Sequence, residues 1–166
     1  MRVVCKTTRD KTPQMQKSLR ELNGKKILVG FNDSEMAWLG GIHEYGCRIP
    51  VTPKMRAFLH HNGIHLRKST TVIIIPERSF LRAGHDSAAD GVLRKAEHVL
   101  PDVVSGHMSV NMYCRMVGEL MASAIKEYAV DLDTPPNSGW TVAWKGSSNP
   151  LVDTGNMIGS IDYEVE

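Results

Sequence analysis

The chain has 166 residues, 20 Lys/Arg against 18 Asp/Glu, 42% hydrophobic and 6% aromatic content, which suits one domain with its own core and requires neither a second domain nor disulfide staples. Its longest apolar run, Val72 to Ile75, is far too short to cross a bilayer, and Met1 to Asp10 lacks the apolar stretch of a signal peptide, so no membrane partner is expected and the protein stays where it is made. Cys5, Cys47 and Cys114 are widely separated and form no CxxC pair, which points to reduced thiols packed as small core residues.

Thr12 to Leu22 reads as a helix, with Thr12 as N-cap, Pro13 in the first turn, Met15, Leu19 and Leu22 on one side and Gly24 past the end. Lys25 to Phe31 reads as a buried strand. Asp33 to Gly46 has capping residues at its start and Ala37, Trp38, Ile42 and Tyr45 at helical spacing, although Gly40-Gly41 weakens a helix there. From Arg48 the pattern changes. Ile49 to Pro53 is extended and turn-forming, Lys54 to His61 supports one or two helical turns, Asn62-Gly63 is a turn signal, and Ile64 to Leu66 and Thr70 to Ile75 are strand candidates. Residues 48–74 therefore read as an inserted hairpin or arm, the kind of projection through which compact domains meet partners.

A strand then runs through Pro76 into a helix that continues to about Leu100, its buried stripe marked by Leu81, Ala88, Ala89, Val92, Ala96 and Val99, and Pro101 is expected to stop it. A second long helix spans about Ser109 to Val130, with Met112, Tyr113, Met116, Val117, Leu120, Met121, Ala124, Ile125 and Tyr128 at three- and four-residue steps. Pro135-Pro136 ends it, Ser138 caps a helical turn through Lys145, and Asp153 or Thr154 caps another. Ile161, Tyr163 and Val165 alternate with acids in a half-buried strand. The sum is an α+β fold: a single domain over residues 1–166, with a small mixed or antiparallel sheet, two long helices packed on one face, and the arm.

Charge is unevenly placed. Residues 1–83 hold 15 Lys/Arg and 6 Asp/Glu, a net of +9, and residues 84–166 hold 5 and 12, a net of −7. A basic surface for nucleic acid or an acidic partner, copies docking head to tail into rings, and neutralisation of the two halves within one fold all remain open.

Catalytic and metal patterns fail when tested. His43-Glu44 begins a zinc-helix motif, but Cys47 stands where the second His belongs and Gly46 breaks the helix. His60, His61 and His65 match no common ligand spacing, so no metal and no cofactor is expected. No nucleophile elbow, Walker loop or dinucleotide fingerprint occurs. Asp131 and Asp133 sit at a helix end beside the Pro-Pro break and read as a solvated turn. Trp140 and Trp144, four apart beside Lys145, read as burying one face in a core or interface, with stacking on single-stranded nucleic acid the rival. Phe80 should bury in the sheet-helix seam. Arg78, placed in the first helical turn where the dipole disfavours it, should point outward or find a carboxylate.

Three separated motifs, in order, resemble those of tailed-bacteriophage virion-morphogenesis proteins, the neck or tail-completion proteins of Mu-like and lambdoid-type phages. His43-Glu44-Tyr45-Gly46 is similar to the family's His-Glu-Phe-Gly, and Ile75-Pro-Glu-Arg-Ser-Phe80 to its Ile-Pro-x-Arg-x-Phe. The third stretch runs from Asn137 and Ser138 through Trp140, Thr141 and Lys145-Gly146 to Pro150-Leu-Val-Asp-Thr-Gly155. Many members pass more directly from the first motif to the second, whereas this chain inserts Arg48 to Ile74. The resemblance implies a non-enzymatic structural protein forming a ring, six-fold or twelve-fold, at the head-proximal end of the tail. Its neighbours would be head-closure, tail-terminator or tail-tube proteins, with DNA passing through without sequence recognition. It would reside in the host bacterial cytoplasm during assembly and then in the virion neck or tail. A tail terminator that sets tube length is the nearest alternative, and a basic-surface nucleic-acid-binding module is the alternative of another class. His43, Glu44, Tyr45, Arg78, Phe80, Trp140, Lys145, Asp153 and Thr154 are the expected fold or subunit-contact residues.

Overall fold

The computed structural model describes residues 10–166; Cys5 lies outside them. The chain runs α1 (Thr12–Asn23), β1 (Ile27–Phe31), α2 (Ser34–Tyr45), β2 (Cys47–Pro50), α3 (Pro53–His61), β3 (Val72–Ile75), α4 (Phe80–Val104), α5 (Val110–Asp131), α6 (Gly139–Lys145), α7 (Asn156–Gly159) and β4 (Ile161–Val165). The expected α+β architecture holds, with its strands divided between two antiparallel pairs. β1 and β4 join the two ends of the chain in the register Ile27↔Val165 to Phe31↔Ile161. β2 and β3 pair from Cys47↔Ile75 to Pro50↔Val72. The long helices α4 and α5 pack along each other, and α5 underlies both strands of the β1–β4 pair.

Two apolar clusters hold these layers. Phe80, Ile125, Ala129, Leu151, Met157, Ile158 and Ile161 form the larger, joining the start of α4, the end of α5 and the C-terminal segment. Val103, Val110 and Cys114 form the second around the α4–α5 turn, covered by Leu22 and Val165. Cys114 is thus a core thiol as expected, while Cys47 is half-buried.

Several elements depart from the sequence expectation for physical reasons. Pro101 does not stop α4, which runs on to Val104 and buries Val103, 1% exposed, in the second cluster; the proline removes one ladder hydrogen bond, and the burial of Val103 and its neighbours offsets that cost. Along α5 the buried line is Val110, Cys114, Gly118, Ala122, Ile125 and Ala129, with Met112 exposed and the bulkier residues flanking it. Small side chains let the neighbouring elements approach closely, so hydropathy alone misplaced the stripe. A Cβ at Gly118 would collide with the Tyr163 ring. In α2 the buried residues are Gly40 and Glu44, while Trp38 and Tyr45 face solvent; Gly40, which counted against a helix, is where the Phe31 ring lies.

The caps also differ in part. Asp33 and Ser138 accept the expected bonds from the Met36 and Thr141 backbone N–H groups, and Ser109, read only as the approximate start of α5, caps it through Met112 N. Lys11 rather than Thr12 is the N-cap of α1, and Gly155 rather than Asp153 or Thr154 precedes α7. Ile64 to Leu66 forms no strand, whereas Cys47–Pro50 does, its last two residues falling in the Ile49 to Pro53 stretch read as extended and turn-forming.

Residues 47–75 form a self-contained arm. The β2–β3 ladder continues through Val51 N to Thr71 O at 2.8 Å. At the tip Arg56 of α3 donates to the carbonyls of Leu66 at 3.2 Å, Arg67 at 3.0 Å and Thr70 at 2.5 Å. One guanidinium fork thereby ties the helix to the returning chain and replaces the missing strand. β2 and β3 pack extensively only on each other, and α3 on no other element.

Candidate functional site

The base of the arm is fastened by a buried polar network. Gly46 leaves α2 at φ 71, in the left-handed region, and a Cβ there would stand 2.8 Å from the Glu77 backbone nitrogen. Only glycine fits this crossing. Arg78 N donates to the His43 carbonyl at 2.7 Å across the same base.

Glu44, 2% exposed, caps the start of α4. Its carboxylate accepts from Ser79 Oγ at 2.9 Å, Leu81 N at 2.8 Å, Arg82 N at 3.1 Å and Arg82 Nε at 2.8 Å. Burial alone would raise its pKa; the hydrogen bonds from Arg82, Leu81 and Ser79 outweigh that and hold it below the ordinary value. Three donors converge on Oε1 and one on Oε2, so this carboxylate is held by the start of α4 and acts as its structural cap. Arg82 also bonds Glu77 Oε1 at 2.8 Å and lies 4.7 Å over the Tyr45 ring, which gives the exposed Tyr45 its place.

Arg78 neither points outward nor meets a carboxylate. It lies just before α4, 4% exposed. Nε donates to Pro135 O at 2.8 Å, and one terminal nitrogen to Pro136 O and Asn137 Oδ1, each at 3.2 Å. A buried cation satisfied by neutral acceptors is stable only when those acceptors are fixed in place. Asn149 does the fixing. Its Oδ1 accepts from Leu151 N at 3.0 Å and Val152 N at 2.9 Å, its Nδ2 donates to Val130 O at 2.6 Å, and its carbonyl accepts from Asn137 Nδ2 at 3.1 Å and Lys145 Nζ at 3.2 Å.

Between α2, α6 and the segment before α7 lies a cavity of about 350 Å³. His43, Lys145, Asp153 and Thr154 line it, with Asn137 and Thr141. His43 Nδ1 is buried without a hydrogen-bond partner, and desolvation, then the charges of Arg78 and Lys145, push its pKa below the ordinary value. The ring is therefore neutral at pH 7, a packing element under a positive potential.

Of the residues expected from sequence, His43, Glu44, Arg78, Lys145, Asp153 and Thr154 converge here. Phe80 is fully buried in the adjoining core and meets Phe31 edge-on at 6.2 Å. Trp140 and Trp144 bury no face in the core: they are 43% and 71% exposed and stack on each other at 5.9 Å. The residues missed by sequence reasoning are Asn149 and Arg82; Ser79 and Asn137 stand in the quoted motifs but were not singled out as contact residues. Asn149-Pro150 carried the one available signal, since asparagine before proline favours a turn closed by its own side chain. Among the described residues no three His, Cys, Asp or Glu side chains converge on one point, His60 and His65 only meeting edge-on at 4.5 Å. Nor is any described helix long and apolar enough to cross a membrane. The chain matches no protein-family model, and neither characterised proteins nor solved structures gave a match.

Proposed function

We propose that this is a structural protein of a tailed phage or prophage, non-enzymatic, forming a ring at the head-proximal end of the tail and completing the tail or joining it to the head. The observation that carries the reading is the meeting of the three resemblance motifs. Residues 43–46, 75–80 and 137–155, spread over most of the sequence, are joined by the bonds of Glu44, Arg78 and Asn149 into one network. A shared framework is a physical reason for the three stretches to occur together in one chain, and that supports the reading. The inserted residues fit the same framework, because the pairing of Cys47 with Ile75 returns the chain to the point it left. A relative with a short connection would need the same base.

Deleting the gene from its phage or inducible prophage and imaging the lysate tests the reading. DNA-filled heads beside unattached tails are expected. Overlong tails would make the protein a terminator, and intact infectious particles would overturn virion assembly altogether.

A nucleic-acid-binding role is favoured by one specific feature, the exposed stacked pair Trp140 and Trp144. Bases stack on such platforms at about 1–3 kcal/mol each. Quenching of tryptophan fluorescence by single-stranded DNA, steeply weakened by salt and lost in Trp144→Ala, would support that role.

A further inference from the structure

We propose that the groove beside β1 receives the β2–β3 arm of a second copy of this chain, which adds a strand to the free edge of β1. The inference rests on the ring reading and names the two surfaces that would build the ring.

The groove has a volume of about 620 Å³ and is lined by Ile27 and Val29 of β1, Leu81 of α4, and Val117, Met121 and Ile125 of α5. No residue of β4 lines it, so it runs along the side of β1 that has no strand. Among the described residues β1 hydrogen-bonds β4 on one edge only, and no described strand pairs with the backbone of the other edge. A strand added there would lie about 4.8 Å from β1 and turn every second side chain into the groove.

The arm has the matching properties. β3 is Val72-Ile-Ile-Ile75, pairs with β2 alone, and leaves Ile74 60% exposed; Phe58 on α3 is 65% exposed. Such a strand left bare invites edge pairing. Residues 47–76 also carry Arg48, Lys54, Arg56, Arg67 and Lys68 without one Asp or Glu. None of those five cations meets a carboxylate: the ion pairs among the described residues are Arg82 with Glu44 and Glu77, His85 with Asp86, and His107 with Asp102. The acids of the other half are equally uncompensated by the arm; at the groove itself Asp86 stands beside His85 and Arg82, so the groove contributes apolar surface and a strand edge, and the charge attraction comes from the acidic half as a whole. Among the described residues no close ion pair joins the two halves, and a second copy would supply the complement. A nucleic-acid backbone would satisfy the cations but leave Ile74, Phe58 and the groove uncovered. Since arm and groove are different surfaces, each contact leaves one of each free, and the contact repeats until a ring closes.

Sedimentation of the purified full-length chain across a concentration series tests this. Wild type is expected to self-associate. Ile74→Asp in the arm and Val117→Arg in the groove are each expected to stay monomeric, and their equimolar mixture to form dimers and nothing larger, because one intact arm and one intact groove remain. Arg67→Glu with Lys68→Glu, both exposed, keeps the test independent of folding and should weaken association at least tenfold at low salt. Undiminished association of Ile74→Asp and the charge-reversed variant would overturn the inference while leaving self-assembly standing. A wild type that stays monomeric throughout overturns it as well, whereas the ring reading itself stands or falls on the deletion phenotype. Monomers that bind duplex DNA through Arg67 and Lys68 would assign the arm to nucleic acid instead.

Discussion

Arg78 shows how much of this fold hangs on a single planar cation. Replacing it with Met leaves the carbonyls of Pro135 and Pro136 without their donors in a buried setting, at a cost of about 2–4 kcal/mol. Lys should rescue little, since a single ammonium cannot reproduce the fork; urea unfolding of the two variants measures both effects. Glu44 makes the base of the arm pH-sensitive. Its native pKa lies below the ordinary 4.5, so its stabilisation is complete above about pH 4.5 and is lost as pH falls through the native value. Urea midpoints between pH 6 and 3 should show that decline, and Glu44→Gln should flatten it while costing about 2 kcal/mol at neutral pH. His43 acts at higher pH. Its native value is below 6.5; between 6.5 and that value the unfolded chain holds a proton the folded chain does not, so stability is full above 6.5 and declines beneath it. An NMR titration should place the ring's midpoint below 6.5, and a midpoint above it would contradict the buried, unpartnered environment.

At the scale of elements, close approach decides more than hydropathy. Gly118→Ala puts a methyl group into the Tyr163 ring and should lower stability by about 1–3 kcal/mol, read as a drop in thermal midpoint. The same fact explains what the sequence conceals. The existence of α4 and α5, the caps Asp33 and Ser138, and the alternation of β4 are local properties and could be read directly. The face that α5 buries depends on where Tyr163 lands, some 45 residues along the chain, and no window of sequence contains both. β2 was unreadable for a similar reason: Cys47–Pro50 becomes a strand only because Val72–Ile75 returns beside it. Arg78 was misjudged because its acceptors are main-chain carbonyls, which leave no mark in residue type. The motif positions themselves were legible; their partners Asn149 and Arg82 were not, because they act on backbone made available by turns elsewhere.

At the scale of the whole molecule, the arm stands off from a body in which both halves of the chain pack together. Removing Pro53 to Thr70 with a short turn in their place should leave a folded body, since the arm packs extensively only on itself, with unchanged near-ultraviolet circular dichroism. If the proposed assembly role holds, the same deletion in the phage or prophage should leave heads unjoined to tails. An unfolded product would make the arm part of the core after all. The manner in which Arg56 braces the tip has a further consequence. A braced arm cannot flex along its length, so its direction is set at its root, where Gly46 crosses Glu77. If neighbours meet through that arm, the root is the pivot that fixes the angle between them, and hence the number of copies that closes a circle. Curvature would then be written in one glycine dihedral rather than in the surfaces that touch.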